Sequence, residues 1–329
     1  MFIVGAGAAY PNELLSDELL ASLGLNPNEA ERRILDRFGV RSRRTSLPLD
    51  YIKNTRNVEI LEARAVATAT PTSLGIEAAR QAMERAGIAP EQLGLIIADT
   101  ATPYQTCPSE AQRIGGGLGL KVPAFDVIGG IGALSLHIEM LSSWKPERVP
   151  DYVLCVSTNT PTQQVDFSGP VLPAYLFGDA AAAFVISTRH QGKLQAQNFY
   201  LGRDGRFKSA ITVQRSISLA CEHMISYGEL GEIVAQGFKK LSVSVDMPSR
   251  APYLVAPQLF GGDMRRCGAK FNIPSERLLS STLQGGYALG ASAGVAVTSL
   301  WDTLQAGEKI VILHGGDGLL SGGILSVSF

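Results

Sequence analysis

The fold of this chain is decided by the stretch Ala124-Phe125-Asp126-Val127-Ile128-Gly129-Gly130-Ile131-Gly132-Ala133-Leu134. It predicts a buried strand, a glycine-rich elbow and the start of a helix that runs on to Trp144. At a helix start, unpaired backbone N–H groups and the helix dipole favour negative charge, so a cysteine there would be held as a reactive thiolate. Ile131 stands at that place, and its hydrocarbon side chain has neither a proton to lose nor a lone pair to attack with. The stretch therefore leaves open whether this protein is a catalyst or uses a catalyst's fold for another purpose.

Composition narrows the class of protein. The chain has 329 residues, enough for one large or two average domains, and a formal net charge of −1. Charges of one sign do not cluster, which argues against partners such as nucleic acid or an anionic membrane. Neither a signal peptide nor an apolar run of roughly 20 residues is present, so we expect a soluble cytoplasmic protein. The cysteines lack metal-ligand spacing, so we expect no metal site; they are Cys107, Cys155, Cys221 and Cys267.

Short apolar strands alternate with amphipathic helices, which predicts an α/β fold whose strands are covered on both faces. The pattern occurs twice, so we expect two sheets with helices packed between and outside them. The two predicted halves are residues 1–172 and 173–329, with the boundary in the loop 169–175 or shortly after Ser187. In the first half we predict strands at 95–98, 125–127, 152–156 and 181–186 and helices at 73–86, 108–118 and 131–144. In the second half we predict strands at 253–255, 278–281, 309–313 and 324–328 and helices at 261–271 and 288–304.

Five motifs resemble, in order and at matching spacing, the type III β-ketoacyl-acyl-carrier-protein synthases of the thiolase superfamily. They are Phe38–Arg44, Thr102–Ala111, Phe125–Val127, Phe177–Ala182 and Gly316–Gly323. The resemblance covers essentially the whole chain and implies a thiolase-like five-layer αβαβα sandwich built from two pseudo-repeated halves. It also implies a dimer whose central strands pair across the interface, for which Tyr152–Val156 is the candidate strand.

The resemblance places the family's three catalytic residues at positions that carry other side chains here. The acylated cysteine falls at Ile131, and the histidine that helps to decarboxylate the extender falls at Pro257. The asparagine falls at Gly286, or at Tyr287 if the alignment slips by one residue. Loss of cooperating groups lowers a rate by several orders of magnitude, and proline lacks even a backbone N–H. The sequence therefore predicts loss of the standard Claisen condensation.

Other positions of the family's site carry residues whose roles stay open. The resemblance places Gly132, Gly316, Asp317 and Gly318 in the backbone of the site. His314 lies close to its floor, either as a packed side chain or as a functional one. Cys107 replaces a phenylalanine that reaches into the neighbour's acyl pocket in the dimer; it is either a small packing residue or a replacement that deepens the partner's pocket.

A third group of residues concerns the entrance. The resemblance gives Arg37 the place of a phosphate-facing arginine, while Arg33 replaces the tryptophan that stacks on the adenine of coenzyme A. Arg265, Arg266 and Lys270 form a basic helix face where relatives dock the acidic acyl carrier protein. A solvated helix face explains the same charges. We expect no resident cofactor, and the ligand that the resemblance suggests is acyl-CoA or phosphopantetheine.

Three functions follow from these observations. The first is a non-catalytic ketosynthase III-like subunit that pairs with an active homologous ketosynthase III in fatty-acid, polyketide or alkylquinolone-type acyl condensation. The second is an active acyltransferase or 3-oxoacyl synthase that uses other residues, such as His314 or Cys107. The third is a homodimer that binds acyl thioesters without chemistry.

Overall fold

The computed structural model of the protein describes residues 1–206, 208–214, 216–247 and 251–328. The strands, in chain order, are β1 (Phe2–Ala9), β2 (Glu13–Ser16), β3 (Ser42–Thr45), β4 (Leu93–Asp99), β5 (Ala124–Asp126), β6 (Tyr152–Asn159), β7 (Ala180–Ser187), β8 (Leu194–Arg203), β9 (Ile211–Val213), β10 (Ile217–Leu219), β11 (Tyr253–Val255), β12 (Lys309–Gly316) and β13 (Leu319–Val327). The helices are α1 (Asp17–Ser22), α2 (Glu29–Phe38), α3 (Leu49–Thr55), α4 (Ile60–Val66), α5 (Pro71–Ala86), α6 (Glu110–Gly117), α7 (Ala133–Ser142), α8 (Val171–Leu176), α9 (Tyr227–Lys240), α10 (Gly261–Ala269), α11 (Thr282–Gly285) and α12 (Ala291–Thr298).

The main sheet has nine strands in the order β11-β12-β13-β8-β1-β7-β6-β4-β5. Its two parts repeat one pattern: β4 is parallel to β6 as β11 is parallel to β12, and β6 is antiparallel to β7 as β12 is antiparallel to β13. The parts join where Phe2 and Ile3 pair with Gln195 and Leu194. The predicted α/β class and the repeated arrangement of strands are therefore confirmed.

Helices cover both faces of the first part of the sheet. On β7, Ala181 and Val185 face the same apolar cluster as Leu74 of α5, whereas Phe184 faces a second cluster. That second cluster holds Leu134 of α7 and Val295 of α12 together with strand residues of both halves. The helices that follow the two glycine-rich elbows thus form a central pair, as the sequence predicts.

Local signals fix the ends of α5. Thr70 caps its first turn by accepting a hydrogen bond from the backbone N–H of Ser73, and Pro71 occupies the first helical position, where a missing N–H costs nothing. Gly87 ends the helix with a φ of 65°, a left-handed conformation that favours glycine. The predicted helix 73–86 therefore begins two residues earlier.

Several predicted elements differ from the observed ones. Segment 278–281 is not a strand and contributes only a bridge between Leu254 and Leu278. The helix after the first elbow begins with a 3₁₀ turn, Gly130–Gly132, before α7, and α12 is shorter than the predicted 288–304. Strand β8 was not predicted, because its sequence, Leu194–Arg203, is rich in polar residues.

The predicted dimer strand is wrong. Tyr152–Val156 lies in β6, which pairs with β4 on one side and with β7 on the other, so its backbone has no free edge. The edge of the first half is β5. Pairing of β7 with β1 and β6 also favours a boundary between the halves after Ser187, the second of the two places that the sequence left open. This boundary remains our interpretation.

Asp179 holds the first half together from inside. Its carboxylate accepts hydrogen bonds from the backbone N–H and the hydroxyl of Ser46, at 2.8 and 2.6 Å. It accepts two more from the N–H and hydroxyl of Thr162, at 2.9 and 2.6 Å. Burial raises the pKa of Asp179 to about 6, against the lowering effect of these four donors. The segment after β3 and the turn after β6 are thereby fixed to the start of β7.

We expect Asp179→Ala to lower the free energy of unfolding by about 3 kcal/mol, because four donors lose their acceptor in a buried site. Urea denaturation at pH 7 measures the change. Asp50→Ala, which alters an exposed carboxylate of α3, serves as the control and should change the value by less than about 0.5 kcal/mol. A loss below about 1 kcal/mol in the Asp179 variant would contradict the structural role assigned to this carboxylate.

Candidate functional site

A small cavity of about 40 Å³ lies between the first elbow and the second half of the chain. Five segments line it: the elbow, the turn after β11, the segment that leads into the first turn of α12, the end of β12 and the region 208–225. Its lining is mostly apolar with a few polar groups, which is typical of ligand pockets. The lining residues are Ile131, Lys208, Ala210, Ile211, His223, Ile225, Pro257, Gln258, Leu259, Phe260, Tyr287, Leu289, Ala293, His314, Gly315, Gly316 and Asp317.

Ile131 projects into the cavity from the elbow. The elbow turns at Gly130, whose φ is 51°, and Ile131 follows it in the 3₁₀ turn. The tip of its side chain, Cδ1, lies against Gly316: a Cβ built on that glycine would be 2.8 Å away. The isoleucine thus packs against bare backbone at the place where a shorter thiol would leave a gap.

Pro257 lies in the cavity wall as predicted from the resemblance, but Gly286 does not. A Cβ on Gly286 would lie 2.7 Å from the backbone nitrogen of Gly178, and its φ is 79°, so this position holds no side chain. Tyr287 lines the cavity instead. Of the two alternatives that the sequence left open for the asparagine position, the cavity therefore favours Tyr287. Burial raises the pKa of Tyr287, and the nearby Asp317 and Asp99 carboxylates raise it further.

His314 lies at the far wall, near the end of β12. Burial lowers its pKa to about 4, so the imidazole is neutral at physiological pH. Within the described part of the chain its Nε2 atom is buried and has no hydrogen-bond partner. A buried nitrogen without a partner is costly, so this atom offers a hydrogen bond to whatever enters the cavity.

The glycine-rich turn beside His314 contributes only part of what the resemblance suggests. Gly316 and Asp317 line the cavity, whereas Gly318 and Gly132 do not. Burial raises the pKa of Asp317, and a hydrogen bond with Ser209 lowers it.

Asp99 lies directly behind the elbow, at the end of β4. It is 1% exposed, and its Oδ1 accepts a hydrogen bond of 2.7 Å from the backbone N–H of Gly129. Burial raises its pKa to about 7, while hydrogen bonds from Gly129 and Gly130 lower it and the Asp126 carboxylate raises it. Two N–H groups of the elbow are therefore taken by a carboxylate of the protein itself. Sequence analysis missed Asp99, although an acid after the apolar run 95–98 is an unusual strand end.

None of the four cysteines reaches the cavity. Cys155 and Cys267 are buried in β6 and α10, as expected for packing residues, and burial raises the pKa of both thiols. Cys107 is exposed in the loop before α6, where its carbonyl accepts a hydrogen bond from the side chain of Gln105. Cys221 is also exposed.

The arginines of α2 face different surroundings. Arg37 donates from Nε to Asp263 of α10 at 2.8 Å, donates also to the carbonyl of Ile225, and lies over the ring of Phe260. These contacts use Arg37 to join α2 to α10. Arg33 is exposed and pairs with Glu29 one turn earlier, at 2.5 Å.

The basic residues of α10 and its end are nearer to solvent. Arg266 lies 3.8 Å from Asp263, and the ammonium of Lys270 lies 4.5 Å from the centre of the Tyr227 ring. Arg265 lines a surface cleft between α1, α2 and α10. The prediction that these residues dock coenzyme A or a carrier protein stays open.

Two further findings concern only the described residues. No group of three or more His, Cys, Asp or Glu side chains in these ranges has the arrangement of a metal site. No helix among them combines the length and apolar character that a transmembrane segment needs.

Comparison with known proteins points to the group that the motifs suggest. A β-ketoacyl-[acyl-carrier-protein] synthase III of Coxiella burnetii is 24% identical over 98% of this chain and 98% of its own length. Proteins of the same name from Synechocystis sp. and Rhizorhabdus wittichii are 25% and 31% identical, over 96% and 64% of this chain and 94% and 59% of their own lengths. No protein-family model matches the chain.

Solved structures confirm the fold. A 3-oxoacyl-[acyl-carrier-protein] synthase III of Aquifex aeolicus superposes with a TM-score of 0.76 at 23% identity, covering 98% of both chains. A synthase III of Thermus thermophilus and OleA of Xanthomonas campestris each give 0.78, at 18% and 17% identity, covering 100% of this chain and 99% and 96% of theirs. The chain thus has the thiolase-like α/β sandwich that the sequence predicts.

The buried carboxyl behind the elbow predicts a pH dependence of stability. Because folding raises the pKa of Asp99 from its ordinary value to about 7, the folded protein binds more protons than the unfolded chain between those values. The contribution of Asp99 to stability therefore falls as pH rises through this window. We subtract the free energy of unfolding of the unaltered protein from that of Asp99→Asn. We expect this difference to increase by about 2–3 kcal/mol as the pH is raised from 5 to 8.

Urea denaturation at several pH values between 5 and 8 measures this difference. Asp50→Asn, an exposed control on α3, should show a difference from the unaltered protein that does not vary with pH. If the free energies of unfolding of Asp99→Asn and of the unaltered protein change in parallel with pH, Asp99 carries its charge throughout this range.

The preference for Tyr287 over Gly286 as the asparagine position is tested by a pair of small substitutions. We expect Gly286→Ala to lower the free energy of unfolding by more than about 2 kcal/mol, because of its φ and the contact with Gly178. Tyr287→Phe removes only a hydroxyl and should cost less than about 1 kcal/mol. Thermal and urea denaturation measure both, and a tolerated Gly286→Ala would reopen Gly286 as a side-chain position.

Proposed function

We propose that this protein is a non-catalytic ketosynthase III-like subunit that pairs with an active homologous ketosynthase III in acyl condensation. One observation carries the proposal. The residue presented by the elbow is Ile131, whose side chain packs against Gly316, with Pro257 and Tyr287 in the same cavity wall. These are the three places that the resemblance assigns to cysteine, histidine and asparagine.

The chemistry of the cavity supports loss of the condensation. Acyl transfer to an enzyme needs a nucleophile that is activated beside the substrate, and no thiol of the described chain lines the cavity. Stabilising the enolate that follows needs hydrogen-bond donors aimed at its oxygen. Pro257 has no N–H, and two N–H groups of the elbow already donate to Asp99. Both observations support the loss of the standard condensation.

The edge of the sheet supports a partner. Strand β5 ends the first half of the sheet, and a free strand edge is a ready template for pairing with another chain. Phe125 on β5 is 37% exposed, and Ile128, two residues beyond the strand, is 67% exposed. A homologous subunit that adds its own β5 to this edge would cover both side chains.

His314 favours a second candidate function. It lies in the same cavity as a neutral imidazole whose Nε2 lacks a partner in the described chain, so it can assist acyl transfer to a nucleophile other than cysteine. Cys107 does not support this function because it lies outside the cavity. The third function, an acyl-thioester-binding homodimer, has less support because Arg37 is bound to Asp263 and Ile225.

The proposed function is tested by co-expression of the tagged chain with the intact ketosynthase III of the same organism. We expect a stable 1:1 complex by light scattering, because β5 offers an uncovered edge. We expect the isolated chain to show no covalent adduct by intact-mass measurement, and no turnover, with acetyl-CoA, octanoyl-CoA and malonyl-acyl carrier protein.

Two variants control these measurements. Phe125→Asp puts a charge on the β5 edge and should abolish the complex while the chain stays folded. Ile131→Cys returns a thiol to the helix start, and peptide mass mapping should find it alkylated by iodoacetamide at residue 131, whereas Ile131→Ser should be alkylated only at the exposed Cys107 and Cys221. An adduct or turnover by the isolated chain overturns the proposal. Turnover that His314→Phe removes would support the second candidate.

A further inference from the structure

Arg37 lies behind the wall of the cavity that contains Ile131. Its guanidinium donates a hydrogen bond to the backbone carbonyl of Ile225, and its Cζ atom lies 5.0 Å from the centre of the Phe260 ring. Ile225 and Phe260 both line the cavity. One arginine therefore contacts two residues of the cavity wall.

A buried carboxylate fixes the position of this guanidinium. Nε of Arg37 donates to Oδ2 of Asp263 at 2.8 Å, and the side chains of Arg37 and Asp263 are 26% and 3% exposed. Arg266 is farther from Asp263, at 3.8 Å. Because hydrogen bonds between ionised groups are stronger than neutral ones, Asp263 holds Arg37 in the orientation that reaches Ile225.

Close contact between α2 and α10 places Arg37 beside Asp263. A Cβ built on Gly262 would lie 2.0 Å from the carbonyl oxygen of Asp36, and one built on Gly39 would lie 2.8 Å from the nitrogen of Gly262. The end of α2 and the start of α10 therefore meet backbone to backbone. As a result, Arg37 in the last turn of α2 adjoins Asp263 in the first turn of α10.

Ile225 lies where the chain enters α9. The next residue, Ser226, caps this helix: its hydroxyl accepts from the N–H of Glu229, and its own N–H donates to the Glu229 carboxylate at 2.6 Å. Before Ile225, the chain comes from β9 and β10, a two-stranded sheet that is separate from the main sheet. The bond from Arg37 thus holds the cavity wall between that small sheet and α9.

We infer that Arg37 is a positioning residue that keeps the cavity closed at its volume of about 40 Å³. Nε binds Asp263, Nη2 holds the carbonyl of Ile225, and the guanidinium lies over the ring of Phe260. Without these contacts, Ile225 and Phe260 move outward and the cavity opens to molecules from solvent. The inference does not depend on a partner subunit, so it stands or fails separately from the proposed function.

The shape of the side chain explains why the position holds arginine. A planar guanidinium carries its donors in a fixed fork, so it can bind a carboxylate and a carbonyl at once while it stacks on an aromatic ring. A lysine ammonium is a point charge on a flexible stem, so it can pair with Asp263 without fixing Ile225. Arg37→Lys therefore separates the ion pair from the positioning of the cavity wall.

The test uses the thiol of Ile131→Cys as a probe of access to the cavity. Peptide mass mapping follows the rate of its alkylation by iodoacetamide at residue 131. Adding Arg37→Lys should raise this rate at least about fivefold, the effect of losing one hydrogen bond to a charged group. Because Arg37→Lys keeps the positive charge, a faster reaction reports access to the thiol and not a changed thiol pKa. Arg37→Gln should raise the rate at least as much.

Arg33→Gln is the matched control for the Arg37 variants. Arg33 lies one turn earlier on α2, where its side chain is 75% exposed and pairs with the exposed Glu29. Adding Arg33→Gln to Ile131→Cys should change the rate of alkylation at residue 131 less than about twofold, since exposed ion pairs contribute little.

Cys155 shows whether a variant has lost its structure as a whole. Its thiol is buried in β6, away from Arg37, so local opening of the cavity should leave it unlabelled. Faster alkylation at residue 131 in Arg37→Lys, with Cys155 still protected, supports the inference. An unchanged rate at residue 131 in both Arg37 variants overturns it, and so does a rise that is matched by labelling of Cys155.

Discussion

The site depends on a contact between backbones from the two halves of the chain. The N–H of Tyr287 donates to the carbonyl of Leu176 at 2.8 Å, and the N–H of Gly178 donates back to the carbonyl of Tyr287 at 3.2 Å. This exchange of hydrogen bonds requires the two backbone segments to lie side by side. As a result, neither Gly178 nor Gly286 has room for a Cβ. The contact brings Tyr287 to the cavity on one side. On the other it sets Asp179, the next residue after Gly178, in its network of four donors.

The buried polar groups of this protein differ in whether their hydrogen bonds are complete. Asp179 and Asp99 are deeply buried, yet backbone or hydroxyl donors surround them. His314 and Gln164 each have a buried atom without a partner in the described chain. Buried groups of the first kind fix the fold, whereas those of the second kind lower the stability of the isolated chain. Both residues line cavities of the protein.

Much of the fold could be predicted from the sequence because it depends on short-range signals. The caps of α5 and the apolar runs of β4 and β7 are visible in any window of the chain. Segment 278–281 misled the prediction because an apolar run does not by itself supply a neighbour along its whole length. The position of β5 at the edge of the sheet was not predicted because order within a sheet depends on long-range pairing, which periodicity does not encode. The place of Ile131 was predictable, since a glycine-rich elbow between strand and helix fixes its residue locally. The choice between Gly286 and Tyr287 for the asparagine position could not be made from the sequence. It depends on the φ of Gly286 and on the three-dimensional neighbours of both residues.

Retention of the elbow does not in itself argue that the cavity keeps its catalytic role. The glycines and helix starts there are demanded by packing, as the contact of Gly316 with Ile131 illustrates, and any stable protein of this fold has to keep them. Asp99 is more informative. Its carboxyl is buried behind the elbow, where burial raises its pKa to about 7. The same carboxyl supplies the acceptor that the N–H groups of Gly129 and Gly130 require. The hydrogen bond from the Gly129 N–H to Asp99 is therefore part of what fixes the elbow in its conformation.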